Sequence, residues 1–160
     1  MGNSHSNYAV IDVTPTLDTS EYASGDALFN KQEIPNAVLG NGGCSRLVSI
    51  TLNSKKTDDL NYVVHLMTNN QSVSAANDAL NISAADGAAA GILGSVTMSN
   101  DHDLGDFATH APTKTGGFDA LPFMLQAASG SSSVYFFCST TSVQTYAAND
   151  LTFRFHIQYK

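Results

Sequence analysis

The last ten residues, Leu151-Thr152-Phe153-Arg154-Phe155-His156-Ile157-Gln158-Tyr159-Lys160, decide the fold class. Leu151, Phe153, Phe155, Ile157 and Tyr159 alternate with Thr152, Arg154, His156, Gln158 and Lys160. Successive side chains of a strand point to opposite faces, so this strict period of two makes one face apolar and the other polar. The segment is predicted to be a half-buried antiparallel strand. Similar runs lie upstream. Tyr8–Val13 is rich in β-branched residues and stops at the Thr14-Pro15 break. Leu47–Leu52 places Val48, Ile50 and Leu52 on one face. Tyr62–Thr68 is apolar on both faces, which predicts a central strand covered on both sides. Ile92–Met98, Leu121–Ala127 and Val134–Ser139 complete the set, and Leu28–Phe29 begins another short strand.

Turn chemistry separates these runs at Gly40–Gly43, Asn69-Asn70, Thr115–Gly117 and Ser129–Ser133. One short helix is expected. Ser83 caps a turn through Ala84-Ala85-Asp86, and Gly87 and Gly91 limit it to one or two turns. Seven or eight short strands with one short helix describe an all-β, antiparallel sandwich or barrel. Met1–Asn7 reads as a flexible arm and residues 8–160 as a single domain.

The 160 residues carry 14 acidic and 7 basic side chains, a net charge of −7. The basic residues Lys31, Arg46, Lys55, Lys56, Lys114, Arg154 and Lys160 are scattered, which argues against nucleic acid as a partner. There is no run of about 18 apolar residues, so no transmembrane helix is expected and no membrane partner. The start MGNSHSNYAV lacks the basic and apolar regions of a secretory signal. Gly2 and Ser6 fit the myristoylation pattern only loosely. Only 13% of residues are charged, whereas 18 Ser, 14 Thr and 13 Asn make the surface polar through hydroxyls and amides. Of the two cysteines, Cys138 in the apolar run VYFFC is expected as a buried free thiol and Cys44, after two glycines, as a partly exposed one.

A search for chemistry finds no catalytic constellation. Asp101-His102-Asp103 with Asp106 and His110 is the densest set of metal-ligating residue types, but its spacing fits no established site and reads as a solvated loop. Asp58-Asp59 reads as a charged turn. Glu21 and Glu33 are the only glutamates, and nothing sets them across a cleft as a glycosidase requires. No G-x-S-x-G elbow or phosphate-binding glycine loop is present. His65 and His156 lie inside strand patterns and His5 in the arm. No catalytic residue, metal or cofactor is assigned.

The stretch T-P-T-L-D-T-S-E-Y-A-S-G-D-A-L-F (Thr14–Phe29), followed by Glu33-Ile34 and Ala37-Val38, resembles the N-terminal part of small virion proteins of tailed phages. The similarity continues through Ala84–Asp86, Ile92–Val96 and Asp103–Gly105 to the serine-rich turn and the alternating terminal strand. Such proteins resemble head decoration, or cement, proteins. The resemblance implies a jelly-roll-like β-sandwich without enzymatic activity, commonly a homotrimer. It would sit on the outer surface of the virion capsid, bind the major capsid protein and stabilise the shell. The contacts to capsid or neighbouring subunit are expected in the irregular stretch Asp12–Asp26, at Asp12, Thr14, Thr16, Asp18, Thr19, Tyr22 and Asp26. Aromatics on expected loops, Tyr22, Phe107 and Phe118, are expected either to anchor such contacts or to fold down over the ends of the sandwich. The alternative is a carbohydrate-binding or tail adhesin module on the same fold, stacking sugars on Tyr8, Tyr22, Tyr62 or Tyr146.

Overall fold

The computed structural model describes residues 7–56, 61–112 and 121–159. The arm up to Ser6, Asp58-Asp59, the Thr115–Gly117 turn and Phe118 lie outside the described residues. The strands are β1 (Tyr8–Val13), β2 (Glu21–Tyr22), β3 (Ala27–Ile34), β4 (Cys44–Ser54), β5 (Tyr62–Met67), β6 (Ile92–Asp103), β7 (Ala108–Pro112), β8 (Phe123–Gln126), β9 (Val134–Thr140), β10 (Gln144–Thr145) and β11 (Leu151–Tyr159). A helix, α1 (Ala84–Ala90), stands between β5 and β6. The chain is all-β, antiparallel and sandwich-like.

Nine strands form one sheet in the order β1-β11-β4-β7-β6-β5-β9-β3, with β8 paired to the first part of β4; β2 and β10 form a separate ribbon. The sheet folds over on itself. β7 pairs with β4 through Ala108–His110 and with β6 through Ala108–Pro112, joining the two halves. Across the core, Phe136 of β9 packs on Phe153 and Phe155 of β11, with ring centroids 5.2 and 4.8 Å apart, although β9 and β11 share no hydrogen-bonded ladder. Phe29 of β3 joins the same aromatic group, and the two end strands β1 and β3 come into contact. The alternation in β11 does what its period requires: Leu151, Phe153, Phe155 and Ile157 are buried and Arg154 is exposed.

The cover over both faces of β5 is real. Tyr62, Val64 and Leu66 face the main core, while Met67 enters a second small cluster with Ala90 of α1 and Phe137 of β9. Partly buried Val73, Leu80 and Ile82 close that cluster. Ser83 caps α1 as expected: its Oγ accepts from the Asp86 backbone N–H at 3.1 Å and donates to Asp86 Oδ2 at 2.6 Å. Gly91 ends the helix at φ +62°, where a side chain would be strained and would also crowd Thr68.

Four expectations need correction. The facing of β4 is broken by a bulge opposite His156/Ile157, which turns Leu47 inward with Ile50 and Leu52 and leaves Val48 exposed. The strand expected at Leu28–Phe29 runs from Ala27 to Ile34, and register shifts against β9 erase its alternation. The strand count exceeds seven or eight because β2 and β10 form a short ribbon of their own and because the stretch around Asp101 and His110 is no loop. It is a β-hairpin in which Asp101 opposes His110 and Asp103 opposes Ala108, so β6 continues to Asp103 and β7 is new. The strand expected at Leu121–Ala127 is β8, Phe123–Gln126, which starts only after Pro122, a residue with no N–H to give a ladder.

Candidate functional site

The stretch Asp12–Asp26 leaves β1 and crosses one end of the sandwich as a strap, tied along its length to residues 140–152. Asp12, outward on β1, receives both Nε and Nη2 of Arg154, each at 2.8 Å. The guanidinium holds the Asp12 carboxyl below the usual carboxylate range. Thr14 Oγ1 meets Thr152 Oγ1 at 2.8 Å, and the Leu17 N–H donates to the Ala148 carbonyl at 2.9 Å. Asp18 Oδ1 accepts from the Ser20 N–H at 2.7 Å, which lowers its pKa and closes a turn. Glu21 and Tyr22 then pair with Thr145 and Gln144. Asp12, Thr14, Thr16, Asp18 and Thr19 are exposed.

Tyr22 and Asp26, expected among the contacts, turn inward instead. Tyr22 is fully buried; its hydroxyl donates to the Leu28 carbonyl at 2.9 Å and accepts from the Asp18 N–H at 2.8 Å. It anchors the strap from beneath rather than presenting a ring to a partner. Asp26 is buried, and its Oδ2 accepts from the Ala23 N–H at 2.7 Å. The same corner recurs at the partner segment: Asp150 Oδ2 accepts from the Ala147 N–H, also at 2.7 Å. Tyr22-Ala-x-x-Asp26-x-x-Phe29 and Tyr146-Ala-x-x-Asp150-x-x-Phe153 thus build paired corners. Their tyrosines meet edge-to-face at 5.6 Å, and so do their phenylalanines. The match of four residues across eight positions was visible in the sequence once the two stretches are laid side by side.

Tyr146 also donates to the Tyr62 hydroxyl at 3.3 Å inside the core. Three of the four tyrosines that a sugar-binding surface would use are therefore buried, and Tyr8 is the one at the surface. The histidines are dispersed. His110 is buried with its ring edge-on to Tyr62 at 5.1 Å, His65 stacks on Phe137 and shares a hydrogen bond with Ser95 Oγ at 2.7 Å, and His102 is exposed on β6. The hairpin register thus turns His110 into the core while His102, Asp103 and Asp106 face solvent, and no group of three metal-ligating side chains forms among the described residues.

A surface missed in the sequence is the outer face of β1, β11, β4 and β8. Strand registers align Tyr8, Gln158, Arg46 and Met124 in one row, Val10, His156 and Ser49 in the next, and Asp12, Arg154 and Thr51 in a third. Val48 sits beside Ser49 at the bulge. Both arginines of the chain lie here. Their outward positions in alternating strands were the available signal; the four-strand alignment was not.

Cys44 lies at the margin of this face, exposed, with its Sγ donating to Gln126 Oε1 at 3.2 Å. Cys138 is free and buried, and burial pushes its thiol well above the ordinary range. Dithiobis(nitrobenzoate) is expected to titrate one thiol per folded chain promptly and the second only after unfolding in urea. Prompt release of two equivalents from folded protein would contradict this burial. No protein-family model, curated protein or solved structure matches this chain.

Proposed function

We propose that this chain is a non-enzymatic phage capsid decoration protein that binds the outer surface of the major capsid protein shell, as a homotrimer, and stabilises it. The reading is supported chiefly by the strap. Its exposed Thr14, Thr16, Asp18 and Thr19 are short side chains on a backbone already tied to residues 140–152. Docking such a surface immobilises few rotamers, so little of the contact energy is lost to ordering. The low charge of the chain agrees with packing against protein neighbours, since charged side chains are depleted at the centres of protein interfaces. Burial of Tyr22, Tyr62 and Tyr146 speaks against the sugar-binding alternative.

The test is to mix the purified protein with undecorated phage heads. Saturable binding that raises the heat resistance of the heads is expected, and Thr16→Arg on the strap is expected to weaken it at least about tenfold, near 1.4 kcal/mol. Absence of binding to heads, together with binding to host polysaccharide, would overturn the proposal.

A further inference from the structure

Of the nine large exposed hydrophobic side chains among the described residues, six fall in two places, and Leu39, Ile92 and Val143 stand apart. Tyr8, Val10, Val48 and Met124 stand on the outer face of β1, β4 and β8, and Leu104 and Phe107 stand at the tip of the β6–β7 hairpin. Tyr8 is 61% exposed and Leu104 67%. Scattered single apolar residues need no explanation, but grouped ones on matching surfaces do.

The charges of the two places are opposite. The outer face carries the cation of Arg46, with the His156 ring beside it as a hydrogen-bonding group, while its carboxylate, Asp12, is already engaged by Arg154. The hairpin tip carries exposed Asp103 directly before Leu104 and exposed Asp106 directly before Phe107. The tip is also shaped in advance. The Leu104 N–H donates to the Phe107 carbonyl at 2.7 Å, the Gly105 N–H donates to Asp103 Oδ1 at 2.8 Å, and Gly105 holds φ +99°. Ala108 pairs with Ser54, the last residue of β4, so the tip projects beyond the end of that strand.

We propose that the hairpin tip of one copy docks on the outer face of a second copy. Leu104 and Phe107 pack among Tyr8, Val10, Val48 and Met124, and Asp103 and Asp106 face Arg46 and His156. A chain cannot make this contact with itself. Arg46 lies eight residues before Ser54 on β4, about 26 Å away at about 3.3 Å per residue. The two patches are unlike, so the contact is either exchanged reciprocally across a two-fold axis or repeated head to tail, giving a ring where the rotation closes. Arg, Tyr and Met are enriched at interface centres, and the face offers all three. This rests on the reading of the chain as an assembly protein, but on its contacts with itself rather than with the capsid.

The test is the solution mass of the full chain by light scattering and sedimentation over a concentration series. The expected species is larger than one 16.9-kDa chain and weakens as salt is raised from about 0.05 to about 0.5 M. Arg46→Glu and Asp106→Arg are each expected to raise the dissociation constant at least tenfold, about 1.4 kcal/mol. The double variant R46E/D106R is expected to recover most of the loss, because the pair is re-formed with its signs exchanged. Leu104→Ser is expected to weaken assembly without that rescue. All three positions are exposed, so circular dichroism should show each variant folded. A chain that stays monomeric at every concentration would overturn the inference, as would an oligomer unmoved by R46E and L104S, or a double variant no better than the singles. A monomer that still decorates heads would sink this interface and the trimer, and leave the binding to the capsid standing. An oligomer that ignores heads would do the reverse.

Discussion

Phe136→Ala is expected to lower the free energy of unfolding by about 3–5 kcal/mol, read as a large drop in the urea midpoint. Phe136 is fully buried and touches rings from both halves of the folded sheet: Phe29 at 5.4 Å, Phe153 at 5.2 Å and Phe155 at 4.8 Å. Removing its ring forfeits the buried apolar area. It also leaves a hole that three neighbouring aromatics, held on β3 and β11, can only partly fill. The loss falls on the contact that makes two layers out of one sheet. A domain of ordinary stability has about 5–15 kcal/mol to lose, so the variant should sit near the edge of folding. Phe136→Leu keeps most of the volume and should cost less than half as much. If Phe136→Ala loses under about 1 kcal/mol, the two layers do not meet through this cluster.

The second large effect is alkaline unfolding. Tyr62 and Tyr146 are buried together with their hydroxyls 3.3 Å apart. Burial pushes the Tyr146 phenol up to about 12 and Tyr62 higher still, because the phenolate would have to form away from water. In the unfolded chain both ionise near 10. A phenol whose folded pKa is raised contributes stability that is fully present below the unfolded pKa. That stability is then lost as pH rises from about 10 through about 12. For Tyr146 alone the loss is on the order of 2–3 kcal/mol, at about 1.4 kcal/mol per unit. Unfolding free energies between about pH 8 and 11.5, with absorbance at 295 nm followed in parallel, should show exposed phenols ionising first and buried ones only with unfolding. Tyr146→Phe should flatten the slope above pH 10. Ionisation of every tyrosine near 10 in a protein that stays fully folded would contradict the buried pair.

Much of this fold could be read from short stretches. β1, β5, β9 and β11 announce themselves because burial on one or both faces writes a pattern into neighbouring residues. The cap of α1 is equally local, since Ser83 and Asp86 meet within one turn. The strap was legible as an irregular stretch from its Thr14-Pro15, Asp18–Ser20 and Gly25-Asp26 punctuation. Its contents were not. Tyr22 looks like a loop aromatic until Tyr146 arrives from the other end of the chain to bury it. His110 looks like a loop ligand until β4 pairs with β7 and turns its ring against Tyr62.

The sequence by itself determined that the chain is built of amphipathic antiparallel strands with one capped helix turn, and that its surface is polar with few charges. Those properties follow from side-chain periodicity and composition, which need no distant partner. Only the tertiary structure decided that a single sheet folds over to make both layers, that Val48 yields the core to Leu47, and that the chain's two arginines share one outer face. Each of these depends on strand order, register or a bulge. They are set by contacts between segments up to the full length of the chain apart, and a one-residue slip in register would reverse every one of the facings involved.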